Sequence, residues 1–278
     1  MKVQEYYWKT TDGLKLYGKY WTPDTAIKGV LCIVHGMGEH IGRFEGMAEV
    51  MNQAGYAVIG YDHRGHGKSE GKRGHTPDYK LLLDAVGELL NKADELFPGK
   101  ARVLYGHSMG GNVVANYVLQ RKPIIAGVII SSPWLKLAFD PPAIQVKLAK
   151  LVSGIFPALT QSTKLDVNAI SRVPEEIQKY QNDALVHDKI STNMFLSVHN
   201  QGLWALEHAG EFTLPLLIFH GSADTLTSSR ATAEFAAKAN KKTTVKIFEG
   251  AYHETHNDKT RLEVYSLIKE WLAKTIQP

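Results

Sequence analysis

The chain contains one cysteine, Cys32, so no intrachain disulfide can form. That thiol sits inside the apolar run Val30-Leu31-Cys32-Ile33-Val34, where it is expected to pack as a small hydrophobe in a reducing compartment. No stretch reaches the roughly 18 uninterrupted apolar residues that a membrane-crossing helix requires. The start, Met1-Lys2-Val3-Gln4-Glu5, has no apolar core of a secretory signal, and a soluble cytoplasmic protein is the expectation. Lys and Arg form no block longer than a few residues, and the net charge of +4 is spread thinly, so nucleic-acid binding has little electrostatic footing. Internal repeats and low-complexity segments are also missing.

Metal-ligand spacing is missing as well. His253-Glu254-Thr255-His256 is one residue short of the zinc-binding HExxH helix, so its histidines cannot stand one turn apart on a single face. Asp62 to Gly71 holds two histidines and an aspartate, but its glycine-rich spacing after a strand reads as a structural loop. No metal and no organic cofactor are expected.

What is present is enough apolar residue, 44% of 278, for a large buried core. Short β-rich runs alternate with longer helical patterns, which implies a mostly parallel sheet flanked by helices. Val3 to Thr10 and Leu14 to Trp21, joined by Asp12-Gly13, read as an opening antiparallel hairpin. Strands follow at Val30 to Val34, Ala57 to Tyr61, Val103 to Tyr105 and Val128 to Ser131, with helices near residues 44–53, 79–96 and 110–119.

The rhythm breaks after Ser132-Pro133. From Trp134 to about Ala209 no strand is evident, so residues 133–209 are expected to form an all-helical cap inserted between two core segments, 1–132 and 210–278. Within it, Ile144, Leu148, Leu151, Val152, Ile155, Phe156 and Leu159 form an amphipathic stripe. The stripe either docks the insertion on the core or forms an apolar lid over an acyl pocket that touches a membrane or micelle surface. The series resumes with strands at 216–219 and 245–248 and helices near 230–239 and 261–274.

Chemistry is concentrated in Gly106-His107-Ser108-Met109-Gly110-Gly111, a GxSxG pattern directly after the strand ending at Tyr105. A serine on such a strand-to-helix turn is strained and tolerates only small neighbours. Its hydroxyl needs a base, and the base needs a carboxylate. Asp224, just past strand 216–219, and His253, just past strand 245–248, fall at the same carboxyl edge of the sheet as Ser108. His256 is the competing base and reads as a supporting residue at the start of the last helix. The order Ser108, Asp224, His253 is that of α/β-hydrolases, not of chymotrypsin-like or subtilisin-like enzymes. Oxyanion donors are expected from the backbone N–H groups of Met109 and of Met37, the latter in His35-Gly36-Met37-Gly38.

Taken together, His35-Gly36-Met37-Gly38-Glu39-His40, Tyr61-Asp62-His63-Arg64-Gly65-His66-Gly67-Lys68-Ser69-Glu70-Gly71, Gly106 to Gly111, Gly221-Ser222-Ala223-Asp224 and Glu249-Gly250-Ala251-Tyr252-His253 resemble the monoacylglycerol lipase and lysophospholipase branch of the α/β-hydrolases, of the serine aminopeptidase S33-like type. The resemblance runs over nearly the whole chain. It implies an α/β-hydrolase fold with a helical cap, Ser108, Asp224 and His253 as the triad, and Arg43, His107 and Tyr180 around a glycerol head group, with Glu39 supporting the loop.

The expected activity is hydrolysis of monoacylglycerols through an acyl-enzyme. Lysophospholipase or broad carboxylesterase activity would use the same triad, and a catalytically silent small-ligand binding protein is the alternative of another class. A dehalogenase would carry aspartate at the elbow, and an iminopeptidase a Gly-Pro-rich oxyanion loop.

Overall fold

Alternation within the apolar strands decides the layering. In Val30-Leu31-Cys32-Ile33-Val34 every residue is buried, yet Val30, Cys32 and Val34 pack in one hydrophobic cluster and Leu31 and Ile33 in another. Strands buried on both faces are those of a parallel sheet covered on each side by helices. The computed structural model describes residues 1–139 and 151–276.

The strands are β1 (Lys2–Lys9), β2 (Lys15–Thr22), β3 (Gly29–Val34), β4 (Tyr56–Tyr61), β5 (Arg102–His107), β6 (Gly127–Ser131), β7 (Thr160–Ser162), β8 (Lys189–Ser191), β9 (Leu216–Gly221) and β10 (Thr243–Phe248). Eight of them form one sheet in the order β1-β2-β4-β3-β5-β6-β9-β10. β1 and β2 are the expected hairpin, turned at Gly13 with φ 89°, and β2 also runs antiparallel to β4. All later neighbours are parallel. Helices α1 (Glu45–Gln53) and α7 (Arg261–Thr275) cover the face holding Leu31 and Ile33, while α2 (Lys80–Leu96), α3 (Met109–Arg121), α5 (Thr192–Glu207) and α6 (Ser229–Lys238) cover the other. Cys32 is a buried free thiol in that second core.

Between β6 and β9 the chain leaves the sheet. This excursion is not all helical: beside α4 (Pro174–Asn182) and α5 it carries the two-stranded antiparallel sheet β7–β8, with Thr160 opposite Ser191 and Ser162 opposite Lys189. Three-residue strands with mixed exposure leave no period-two signature, which is why the sequence hides them. Ile144 and Leu148 of the apolar stripe lie outside the described residues. Of its remaining members Val152 is half-buried, while Leu151, Ile155, Phe156 and Leu159 are 54–65% exposed. Among the described residues no helix is long and apolar enough to cross a membrane.

Candidate active site

β5 ends at His107 and α3 begins at Met109, so Ser108 alone turns the chain from strand to helix. Its backbone sits at φ 53°, ψ −116°, a region that L-residues occupy only under constraint. Glycines provide the room: a Cβ on Gly106 would lie 2.5 Å from the Gly110 carbonyl oxygen, and one on Gly110 would lie 2.1 Å from that of Val34. Ser108 N–H donates to Ser131 O at 2.9 Å, and Ser108 O accepts from Asn112 N–H at 3.1 Å and Trp134 N–H at 2.9 Å.

Ser108 opens onto a cavity of about 850 Å³ whose wall also includes Met37, Glu39, His107, Tyr180, His253 and Glu254. Much of the rest is apolar, from Trp134, Leu137 and Val152 to Leu159, Ile190 and Phe195. A chamber walled by both polar and apolar side chains suits an amphiphile.

His253 comes from the loop after β10 and Asp224 from the loop after β9. His253 Nδ1 lies 2.6 Å from Asp224 Oδ2, and both side chains are buried. Asp224 Oδ1 accepts from the N–H groups of Leu226 at 2.7 Å and Thr227 at 3.1 Å, while Oδ2 also meets His220 Nε2 at 2.8 Å and the Thr227 hydroxyl at 3.0 Å. Burial opposes the Asp224 charge, but His253 and His220 overcome it and hold the carboxyl well below its ordinary range. Burial would lower His253, yet the facing Asp224 carboxylate leaves its imidazole more basic than usual. A base oriented and polarised in this way can take a hydroxyl proton at the cavity wall.

The loop after β3 lies against the serine: a Cβ on Gly36 would be 3.1 Å from Ser108 Cβ. Among the described residues, no acceptor takes the Met37 or Met109 N–H. Behind this loop stands a group of imidazoles, His35, His63, His66 and His187, with ring centroids 4.5–6.0 Å apart along the cluster. Their hydrogen bonds fix their tautomers. His35 Nδ1 donates to Gly36 O at 2.8 Å and its Nε2 accepts the His63 N–H at 2.9 Å; His63 Nε2 in turn donates to His35 O at 3.1 Å. Burial pushes His63 down to about 4 and His35 and His66 well below their ordinary value, so the cluster is neutral support. In the same Asp62 to Gly71 loop, the Asp62 carboxylate accepts the Ile41 and Lys68 N–H groups, both at 2.8 Å. Among the described residues no set of three His, Cys, Asp or Glu side chains could hold a metal ion.

Glu39 Oε1 accepts the Gly36 N–H at 2.6 Å, and its other oxygen meets Arg43 at 3.1 Å. Arg43 then grips Glu254 with two bonds of 2.6 and 2.7 Å, and its guanidinium lies 4.7 Å from the Tyr180 ring centre. Burial would raise Glu254, but Arg43 holds it down to about 2; burial takes Glu39 up to about 7 despite the same Arg43.

Ser108, Asp224, His253, Met37, Met109, Glu39, His107 and Tyr180 are therefore gathered at one sheet edge. Arg43 is outside the cavity lining and makes three hydrogen bonds to two carboxylates. His256 lies in a short turn, Thr255–Asn257, before α7 rather than at its start; its ring stacks on Phe44 at 5.1 Å and meets His107 edge-on at 4.8 Å. Glu254, His220 and Thr227 belong to the site and were not legible beforehand. Glu254 follows the base directly, but its partner lies 211 residues away.

The family model for Hydrolase_4, serine aminopeptidase, S33, matches residues 25–260. The chain is 31% identical to the monoacylglycerol lipase of Mycolicibacterium smegmatis over 94% of each chain. It is 32% identical over 96% of its length to an uncharacterized abhydrolase domain-containing protein of Dictyostelium discoideum, but it spans only 29% of that protein. The crystal structure of Paleococcus ferrophilus monoacylglycerol lipase superposes with a TM-score of 0.84 at 34% identity, covering 99% of this chain and 100% of that one. The chain belongs to the serine aminopeptidase S33 (Hydrolase_4) family of α/β-hydrolases.

Proposed function

We propose that the chain is a serine esterase that hydrolyses monoacylglycerols to fatty acid and glycerol. The observation that carries this reading is the cavity: Ser108 and His253 share its wall with the carboxyl groups of Glu39 and Glu254 and with apolar side chains such as Trp134, Leu137, Val152 and Phe195. Ser108 Oγ attacks the ester carbonyl as His253 takes its proton, and Asp224 orients His253 and stabilises its charged form. The N–H groups of Met37 and Met109 receive the oxyanion, the second at the N-terminus of α3. His253 then protonates the departing glycerol alkoxide. Water, deprotonated by the same imidazole, clears the acyl group from Ser108.

Glu39 and Glu254 argue for an uncharged polyol head group. Arg43 makes three hydrogen bonds to Glu39 and Glu254, so its charge is offset within the trio, and the two carboxyl groups offer hydrogen bonds to hydroxyl groups. Monoacylglycerol should therefore outpace lysophosphatidylcholine and short p-nitrophenyl esters in side-by-side rates; comparable rates on all three would reduce the reading to a general esterase. A fluorophosphonate probe should label the wild-type protein and not Ser108→Ala, whose turnover should fall by about 10⁶-fold. Labelling that persists in Ser108→Ala would refute the nucleophile, and no labelling of wild type would favour a silent binding protein.

We also assign residues 133–209 the role of a cap over this cavity. Phe139, Val152 and Leu159 line it while Leu151, Ile155 and Phe156 are exposed and outside its lining. A clustered apolar exterior at the mouth of an acyl pocket suits peripheral contact with a lipid surface, which vesicle co-sedimentation tests.

A further inference from the structure

His220 is a fully buried imidazole at the end of β9, and nothing in the proposed reaction uses it. Its two nitrogens have different partners. Nε2 lies 2.8 Å from Asp224 Oδ2, and Nδ1 lies 2.7 Å from the hydroxyl of Thr232 on α6. An ionised carboxylate only accepts, so Nε2 carries a proton, while Nδ1 is hydrogen-bonded to the Thr232 hydroxyl. The same Asp224 oxygen, Oδ2, accepts from His253 Nδ1 at 2.6 Å. Thr227 Oγ1 also reaches Oδ2, but it has one proton and an alternative acceptor in Ser132 O at 3.1 Å. The fixed donors on Oδ2 are therefore two imidazole N–H groups.

We propose that His220 is a positioning residue that shares Asp224 Oδ2 with His253, so that the pull of Asp224 on the base is set by a second imidazole. The proposal rests on the reading of Ser108, Asp224 and His253 as a triad. A carboxylate oxygen divided between two charge-assisted hydrogen bonds offers each donor less than it would offer one alone. His220 thus restrains how basic Asp224 makes His253, and it stops the carboxylate from rotating away from the base. An imidazole suits this task because it spans α6 and the triad with both nitrogens satisfied.

Other charged or titratable groups around the base also act on it. Asp224, Glu254 and Glu39 raise its basicity, and the His107 ring lies 4.9 Å from that of His253. Of these only Asp224 hydrogen-bonds to His220, so a change at position 220 reads the shared oxygen.

Histidine-selective ¹⁵N NMR on the wild-type protein tests the starting arrangement without relying on activity. His220 Nε2 should carry a proton held in a hydrogen bond; an Nδ1–H tautomer with a bare Nε2 would overturn the proposal. The pH profile of kcat/KM then tests the consequence. Removing the Nε2 donor with His220→Leu should move the acid limb upward by about 0.5–1 pH unit and lower the plateau about tenfold, as a lost hydrogen bond to a charged group would. His220→Gln, whose amide can still donate, should return the limb to within about 0.2 unit of wild type. A limb unmoved in the leucine variant, or moved equally in both, leaves His220 as packing alone. Wild-type protein that shows no Ser108-dependent probe labelling refutes the triad reading instead.

Discussion

Replacing Arg43 by methionine should unfold the polar end of the site in a strongly pH-dependent way. The guanidinium is the buried counter-charge to two buried carboxylates, Glu39 and Glu254, with side chains only 3–7% exposed. Glu254 is held at about 2 against an ordinary 4.5, which at about 1.4 kcal/mol per pH unit corresponds to about 3 kcal/mol of stability at neutral pH. Because that carboxyl is depressed in the folded protein, its contribution is present above 4.5 and lost as pH falls through about 2. Without Arg43 the sign reverses. Desolvation then raises Glu254 above its unfolded value, and folding is penalised increasingly as pH rises past 4.5. Arg43→Met should therefore cost about 3–5 kcal/mol at about pH 8 and markedly less at about pH 4.5, where the carboxyls are free to take up protons. Urea denaturation followed by circular dichroism at both pH values measures this. A loss below about 1 kcal/mol, or one equal at the two pH values, would refute the claim that the trio is an electrostatic unit. Adding Glu254→Gln to Arg43→Met should recover part of the loss, since the uncompensated charge is then gone.

Glu39→Gln should act in the opposite direction. Glu39 is raised to about 7 by burial, so its effect favours folding below 4.5 and fades as pH climbs to about 7; the glutamine variant should lose this slope and be more stable than wild type by about 1–3 kcal/mol at about pH 8 in the same denaturation assay. If the variant keeps the slope, Glu39 is not its source. Replacing Ile155 and Phe156 together by serine should weaken co-sedimentation with phosphatidylcholine vesicles severalfold, while turnover of a soluble short-chain ester stays near wild type. Equal binding by both proteins would remove the stripe as the lipid-facing surface.

The sheet and the chain order of Ser108, Asp224 and His253 were legible because each rests on a local pattern. Apolar runs bounded by turns mark β3, β4, β5 and β9, and a residue one loop past such a run must land at the carboxyl edge. What stayed hidden is set by tertiary approach. Arg43 reads as a cation near a helix start until Glu254 arrives from the far end of the chain, and His220 reads as a residue just past the strand 216–219 with no partner in view. The stripe from Leu151 to Leu159 shows the limit of periodicity. Helical spacing announces an apolar face, but nothing in the spacing says whether that face meets the core, a cavity or solvent.

The backbone of Ser108 costs about 1–3 kcal/mol to hold, and its restraints are arranged so that the start of the excursion after β6 shares the task. Trp134 N–H, three residues past β6, donates to Ser108 O. Asn112 takes up the Trp134 and Val198 carbonyls with its amide at 2.8 and 2.9 Å, and accepts the Tyr79 hydroxyl at 2.6 Å. The elbow, both ends of the excursion and α2 are thereby tied through one fully satisfied buried amide. Displacing Trp134 would leave Ser108 O and Asn112 each short of a partner in the core, so the root of the excursion cannot move without disturbing the nucleophile. Leu151, Ile155 and Phe156 are instead exposed. Hydrogen-bonded restraint is therefore concentrated where the acyl carbonyl must be positioned within hydrogen-bonding tolerance.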